Sequence, residues 1–296
     1  MALLRLFSSA LFASVLCAAA PTASSSTTRV YCGDFDTLTS AASQNIFSTD
    51  AWGNDGSGAS CISIPAGDDS FSATWKWTKN QDNVHAFPNV RLVSTQLPVQ
   101  LLNLTSLNLA VDWSMTPSDG SSSLSAIGAS ADVVIDMFLD PNRITASSSS
   151  TKPKYEVMVW MGQFGYANAI GANITKTPPT YKLNGTTFSL YTGPNGNGQT
   201  VFSWLAASNI TSFNFDISPL FDYLTSHNLL PATTYLGSVQ YGTEAFHATS
   251  NVTFSASNFN LKVTKGIKKA SMAMGGVAPN LALIAFLGLG GVVALL

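Results

Sequence analysis

Between Val30 and Val263 the chain is written in short runs that alternate apolar and polar residues, separated by clusters of Gly, Asn, Ser and Asp. SFSATWKW (70–77), SLNLAVDWSM (106–115), ADVVIDMFL (131–139), YEVMVWMG (155–162) and TTYLGSVQYG (233–242) are the clearest. A period of two sends successive side chains to opposite faces, so each run reads as a strand. Phe71, Ala73, Trp75 and Trp77 share a face and read as core. Strands in this number, punctuated by turns, predict an all-β sandwich of two antiparallel sheets. The Ser-rich stretch 144–151 and GPNGNG (193–198) read as exposed turns. No linker or repeat divides the run of strands. One segment changes period. In DISPLFDYLTSHNLLP, Ile217, Leu220, Phe221 and Leu224 fall at i, i+3, i+4 and i+7, which predicts a single amphipathic helix packed on the back of the domain. Ser218 is placed to cap it, Pro219 suits its first turn, and Pro231 follows its end.

The two ends follow other rules. MALLRLFSSALFASVLCAAAPTA carries one charge, Arg5, then an apolar stretch and small residues, the pattern of a secretory signal peptide over about 1–20. The last stretch, 266–296, has no charge after Lys269 and is apolar from Leu281 onward. Small residues near Ala270, Ser271 and Ala273, a spacer and a hydrophobic tail form the pattern of a GPI-anchor attachment signal. The alternative is a retained terminal helix, but that would lack a polar flank on its far side. The expected domain is therefore 24–265, secreted and tethered to the outer cell surface, with no membrane contact beyond the lipid.

Composition narrows the function. Of 296 residues, 14 are Lys or Arg and 16 Asp or Glu, a formal net charge of −2. No basic excess suits nucleic acid or an anionic surface. Once Cys17 leaves with the signal, Cys32 and Cys61 remain, and in an oxidising compartment that pair reads as one disulfide. Sequons at Asn103, Asn173, Asn184, Asn209 and Asn251 agree with secretion. The three histidines are scattered and belong to no metal or triad motif, so neither a metal nor another cofactor is expected.

Carboxylates remain. Alternation in YEVMVWMG puts Glu156, Met158 and Trp160 on one face, opposite Tyr155, Val157, Val159 and Met161. An acid between a Met and a Trp suggests a groove with an aromatic floor. Gln240 and Glu244 share a face of VQYGTE if no bulge intervenes, and Asp132 and Asp136 share a face of ADVVIDMFL. A strand acid facing water needs no function. Acids on three strands of a chain with only 10% charged residues point instead to glycoside hydrolysis, in which one carboxylate attacks the anomeric carbon and another protonates the leaving oxygen. A third beside the nucleophile would hold their pKa values apart.

On these residues the chain resembles glycoside hydrolase family 12, the endo-β-1,4-glucanases and xyloglucanases of the concanavalin-like β-jelly-roll class. DAWGND (50–55), WKWTKNQDNVHAFPN (75–89), ADVVIDMF (131–138), YEVMVWMGQFG (155–165), DISPLFDYL (216–224) and YLGSVQYGTEAF (235–246) run in the family's order. The resemblance implies Glu156 as nucleophile, Glu244 as general acid/base and Asp136 as support for the nucleophile. Trp52 would stack a glucosyl unit and Met158 would lie under the sugar at the scissile bond, with Trp160 and Gln240 also in the cleft. It also implies a Cys32–Cys61 disulfide and retention of configuration. Ala245 and Ala169 depart from the family, which usually carries Pro at both places. The expected activity is endo-hydrolysis of β-1,4-glucans such as cellulose or mixed-linkage β-glucan by a monomer. Xyloglucan is the competing substrate, and a wall-binding protein without catalysis the alternative class.

Overall fold

The computed structural model describes residues 27–120, 123–148 and 152–268. The signal peptide and the hydrophobic tail expected from the sequence lie outside these residues. In chain order the first strands are β1 (Arg29–Tyr31), β2 (Thr37–Thr39), β3 (Ile46–Ser48), β4 (Gly58–Ile64), β5 (Ser70–Trp77), β6 (Asn89–Arg91), β7 (Val99–Gln100) and β8 (Leu104–Pro117). Next come β9 (Ser130–Asp140), helix α1 (Arg143–Ser147), β10 (Tyr155–Phe164), β11 (Thr180–Leu183), β12 (Thr186–Pro194), β13 (Thr200–Ala206) and β14 (Ser212–Asp216). Helix α2 (Ser218–Ser226), β15 (Tyr235–Gly242), β16 (Ala245–His247) and β17 (Val252–Lys265) complete the order.

The strands form two sheets. The smaller runs β1-β4-β5-β17-β8-β14, and the larger runs β11-β12-β13-β10-β9-β15-β6-β3-β2, with β16 and β7 pairing at β9 and β15. Their facing sides make one core. Phe71, Ala73, Trp75 and Trp77 of β5 meet it as the alternation predicts, and so do Leu107, Leu109, Val111 and Trp113 of β8 and Val157, Val159 and Met161 of β10. An edge-on ring contact binds the layers, Phe47 of β3 to Phe71 of β5 at 5.8 Å, and Phe71 meets Phe254 of the neighbouring β17 at 5.8 Å within the smaller sheet. This is the two-sheet sandwich expected, with one exception to its antiparallel pairing: β10 and β13 run parallel, Tyr155 opposite Thr200 through Trp160 opposite Leu205. Strands β11 and β12 fill the connection and carry the chain back to the start of β10.

The larger sheet is wider than the smaller, and α2 covers part of the excess. Ile217, Leu220, Phe221 and Leu224 are buried in the core, and Tyr223 packs edge-on against Trp204 of β13 at 5.2 Å. The start of α2 differs from the sequence reading. Ser218 is the first helical residue and its side chain caps nothing. Asp216, at the end of β14, takes the Ser218 N–H at 2.9 Å and the Leu107 N–H at 2.7 Å, so a strand-end carboxylate satisfies the first turn. A second helix also appears where turns were expected. Asn142 Oδ1 accepts from the Ile144 and Thr145 N–H groups and starts the five-residue α1. The Cys32–Cys61 disulfide is present and joins the segment after β1 to β4. Among the described residues no helix is long and apolar enough to cross a membrane.

Candidate active site

The face of the larger sheet turned away from the core carries the acids. Cross-strand pairing sets Met158 of β10, Asp136 of β9, Gln240 of β15 and Arg91 of β6 in one row, with Glu156 beside Phe138 in the next. A hollow of about 520 Å³ lies over this face and reaches from Gln199 and Phe138 past Ser238 and Gln240 to Arg91 and Asp50. A hollow of equal volume on the smaller sheet is lined largely by serines, with Asp112 among them.

Glu156 is only 9% exposed. Burial and the charge of Glu244 raise its pKa to about 7. Asn195 opposes that shift by donating from Nδ2 to Glu156 Oε2 at 2.8 Å. Asn195 belongs to GPNGNG, read from sequence as an exposed turn. Its Oδ1 accepts from the N–H groups of Asn197 and Gln199, each at 3.0 Å, so the same side chain closes the turn and points a donor at the acid. No sequence pattern distinguishes this asparagine from an ordinary turn residue.

Asp136 is buried, and its pKa is raised well above the usual range by burial first, then by Glu156, Glu244 and Asp50. Glu244 is half-buried, and burial raises its pKa as well. Gly242 pairs with Val134 and Ala245 with Ala131, one continuous register, so no residue is inserted between Gln240 and Glu244 and the shared face holds. The structure thus brings Glu156, Asp136, Glu244, Met158 and Gln240 to one face. Asp50, missed from sequence, joins them with its pKa raised to about 6 by burial. Trp160 and Met158 are both buried on that face, 2% and 3% exposed, in one apolar cluster with Val134, Ala167 and Ala169, and Trp160 is covered by the loop after β10 rather than open to a sugar. Ala169, one of the two departures, is part of that cover. Gly165 starts the loop at φ +61, where an added Cβ would meet the Ala129 carbonyl oxygen at 2.3 Å, so only glycine fits.

Trp52 stands apart, 58% exposed, on a loop tied down by its neighbours. The Ala51 N–H donates to Asp34 O at 2.7 Å and the Gly53 N–H to His85 O at 3.0 Å. His85 stacks on Trp77 at 5.0 Å and donates its N–H to Ala245 O at 2.9 Å. A hydrogen-bonded path therefore joins the Trp52 loop to the residue after Glu244. Ala245, the other departure, donates its own N–H to Ala86 O at 2.9 Å, a bond that proline could not make. Among the described residues no group of three or more His, Cys, Asp or Glu could hold a metal ion. Asn173, Asn184, Asn209 and Asn251 are exposed, while Asn103 is half-buried.

The glycosyl hydrolase family 12 model matches residues 43–264. The chain belongs to glycosyl hydrolase family 12. It is 34% identical over 238 residues to the xyloglucan-specific endo-beta-1,4-glucanase A of Aspergillus niger, covering 79% of this chain and 90% of that one. It is 30% identical over 239 residues to the enzyme of the same name from Emericella nidulans, covering 79% and 91%. Among solved structures, endoglucanase 3 of Trichoderma harzianum superposes with a TM-score of 0.67 at 26% identity, over 80% of this chain and 98% of that one. The catalytic domain of Humicola grisea Cel12A, in complex with a soaked thio cellotetraose, gives 0.66 at 27%, over 79% and 99%. This family 12 hydrolase has its fold and its two-sheet jelly roll in common with them.

Proposed function

We propose that the chain is a retaining, endo-acting β-1,4-glucanase whose substrate is xyloglucan. The observation that carries the reading is the pair Glu156, buried, and Glu244, half-buried, two acids on one face and near enough for the charge of one to raise the pKa of the other. In the first step the Glu156 carboxylate attacks the anomeric carbon, Glu244 gives its proton to the leaving glycosidic oxygen, and a glycosyl ester forms. In the second, Glu244 takes a proton from water as that water attacks the same carbon, and Glu156 leaves as a carboxylate. Asp136, holding its proton, donates to Glu156 and stabilises the charged nucleophile.

The relatives at 30% and 34% identity are named as xyloglucan-specific, and they move xyloglucan ahead of the unbranched glucan favoured by sequence reading alone. The second reading, unbranched glucan, draws on the likeness to an endoglucanase and to a structure holding a cellotetraose analogue. The signal-peptide pattern supports a secreted enzyme, and the terminal pattern a lipid tether.

The test is endo-activity on xyloglucan, mixed-linkage β-glucan and carboxymethyl-cellulose, with Glu156→Gln and Glu244→Gln alongside. Xyloglucan is expected to be cut fastest. Loss of general acid–base help alone costs about 10²–10⁴-fold, and both variants should lose at least that. Carboxymethyl-cellulose cut fastest would transfer the proposal to unbranched glucan. Variants as active as the parent would end the assignment of these two acids.

A further inference from the structure

The Glu156 carboxyl has two polar neighbours, Asn195 and Asp136. The side-chain partner of the Glu244 carboxyl is a different residue, Asp132 on β9. Asp132 lies four residues before Asp136, on the same face of the strand, and is fully buried at 0% exposure. Three further bonds lock the two chains together there. The Glu244 N–H donates to Asp132 Oδ1 at 2.7 Å. The Asp132 N–H donates to Glu244 O at 3.2 Å. The Thr243 hydroxyl donates to Asp132 O. Asp132 Oδ2 is buried with no hydrogen-bond donor among the described residues. An ionised carboxylate left in that state would be costly, whereas a protonated one is a donor in search of an acceptor. The acceptor within reach is the Glu244 carboxyl.

We infer that Asp132 is the positioning residue of the acid/base: it fixes the Glu244 backbone through Oδ1 and holds a proton on Oδ2 against the Glu244 carboxyl, easing the loss of Glu244's own proton. This rests on Glu244 being the acid/base. Burial raises the Asp132 pKa well above the usual range, with the charge of Glu244 the next cause, which agrees with a carboxyl that stays protonated. The other titratable groups facing the pair are Asp136 on β9 and Glu156 on β10. His85 presents its backbone to Ala245, and His247 of β16 turns its Nδ1 to Gly128 O. Among the described residues the groups acting on the pair's charges are carboxyls, so the proton is what relieves the repulsion. β9 then supplies one protonated aspartic acid to each reacting glutamate, Asp136 to Glu156 and Asp132 to Glu244.

The experiment is the pH profile of kcat/KM of the full chain, with Asp132→Asn and Asp132→Ala. Asn keeps an Oδ1 acceptor for the Glu244 N–H but replaces O–H···O⁻, the stronger donor, with an amide. The ionised form of Glu244 loses support, so the alkaline limb, which reports the acid, moves up by about half a pH unit or more in Asn and further in Ala. The acid limb stays in place. An alkaline limb that is unmoved, or that moves down, overturns the inference. Glu244→Gln separates this from failure of the assignment beneath it: a fully active Glu244→Gln removes Glu244 as acid/base, while an inactive one beside an unmoved Asp132→Asn removes only the role of Asp132. Should the variants fail to fold, carboxyl ¹³C titration of the unsubstituted protein decides. An Asp132 carboxyl shift that follows the ionisation of Glu244 supports the hydrogen bond between them, and Glu244 titrating with the Asp132 signal unmoved refutes it.

Discussion

Asn195→Ala isolates the electrostatics of the proposed nucleophile. The Asn195 amide donates to Glu156 Oε2 at 2.8 Å and favours the ionised carboxylate, against burial and Glu244, which raise the pKa to about 7. A hydrogen bond to a charged group contributes about 1.5–3 kcal/mol. Asn195 is half-exposed, so the lower end applies, and about 1.4 kcal/mol corresponds to one pKa unit. Removing the donor raises the Glu156 pKa by about one unit. Because the nucleophile must be ionised, the acid limb of kcat/KM moves to higher pH by the same amount. Well below the limb the variant is about tenfold slower than the parent, and well above it the two converge. Asn195 also closes its turn through Asn197 and Gln199, so thermal unfolding is recorded beside the kinetics. A loss of rate equal at every pH, with the limb unmoved, would show that the turn matters and the donor does not.

Trp52→Ala should raise KM on the polymer by about tenfold, equivalent to about 1.4 kcal/mol of binding, with little change in Tm, since the ring is largely exposed; an unchanged KM would remove Trp52 from the cleft. The raised carboxyls predict an unusual stability profile. A buried acid whose folded pKa is raised contributes stability that is present below its unfolded pKa and lost as pH rises through the folded value. With Asp50 at about 6 and Glu156 at about 7, Tm should fall between about pH 4 and pH 7, and Glu156→Gln should flatten that slope; a Tm that rises over this range would contradict it. Replacing Cys32 and Cys61 together by Ser should cost about 3–4 kcal/mol for a closed loop of this length, with a sequence separation of 29. Denaturant unfolding with no loss of stability would count against it.

Much of the fold was legible because alternation maps directly onto faces. Phe71, Ala73, Trp75 and Trp77 lie in the core as their spacing required, and the amphipathic run around Phe221 is a helix. The face shared by Glu156 and Met158 was legible for the same reason. Four features were not. The parallel pairing of β10 with β13 depends on how a long connection returns, which no local period encodes. Trp160 is buried by the loop after β10, and a strand pattern does not say what covers its second face. Asn195 acts through a turn whose composition is ordinary, and Asp132 meets Glu244 across 112 residues of chain. Period-two arguments find which side a residue occupies and not who stands opposite.

The place of β17 sets a condition on how the molecule is made. It is the last strand among the described residues, yet it lies in the middle of the smaller sheet, with β5 on one side and β8 on the other. Until Val252–Lys265 has left the ribosome, that sheet exists only as two fragments, β1-β4-β5 and β8-β14. Each fragment presents an unpaired edge and the apolar rows that will become the core, the arrangement that invites pairing with another chain. The nascent polypeptide therefore cannot complete its sandwich domain-end first. It must be kept from its neighbours until synthesis is nearly finished, and closure then depends on pairings between residues far apart in the chain, which form slowly. Chains that stall before Val252 should accumulate as aggregates rather than as smaller folded species.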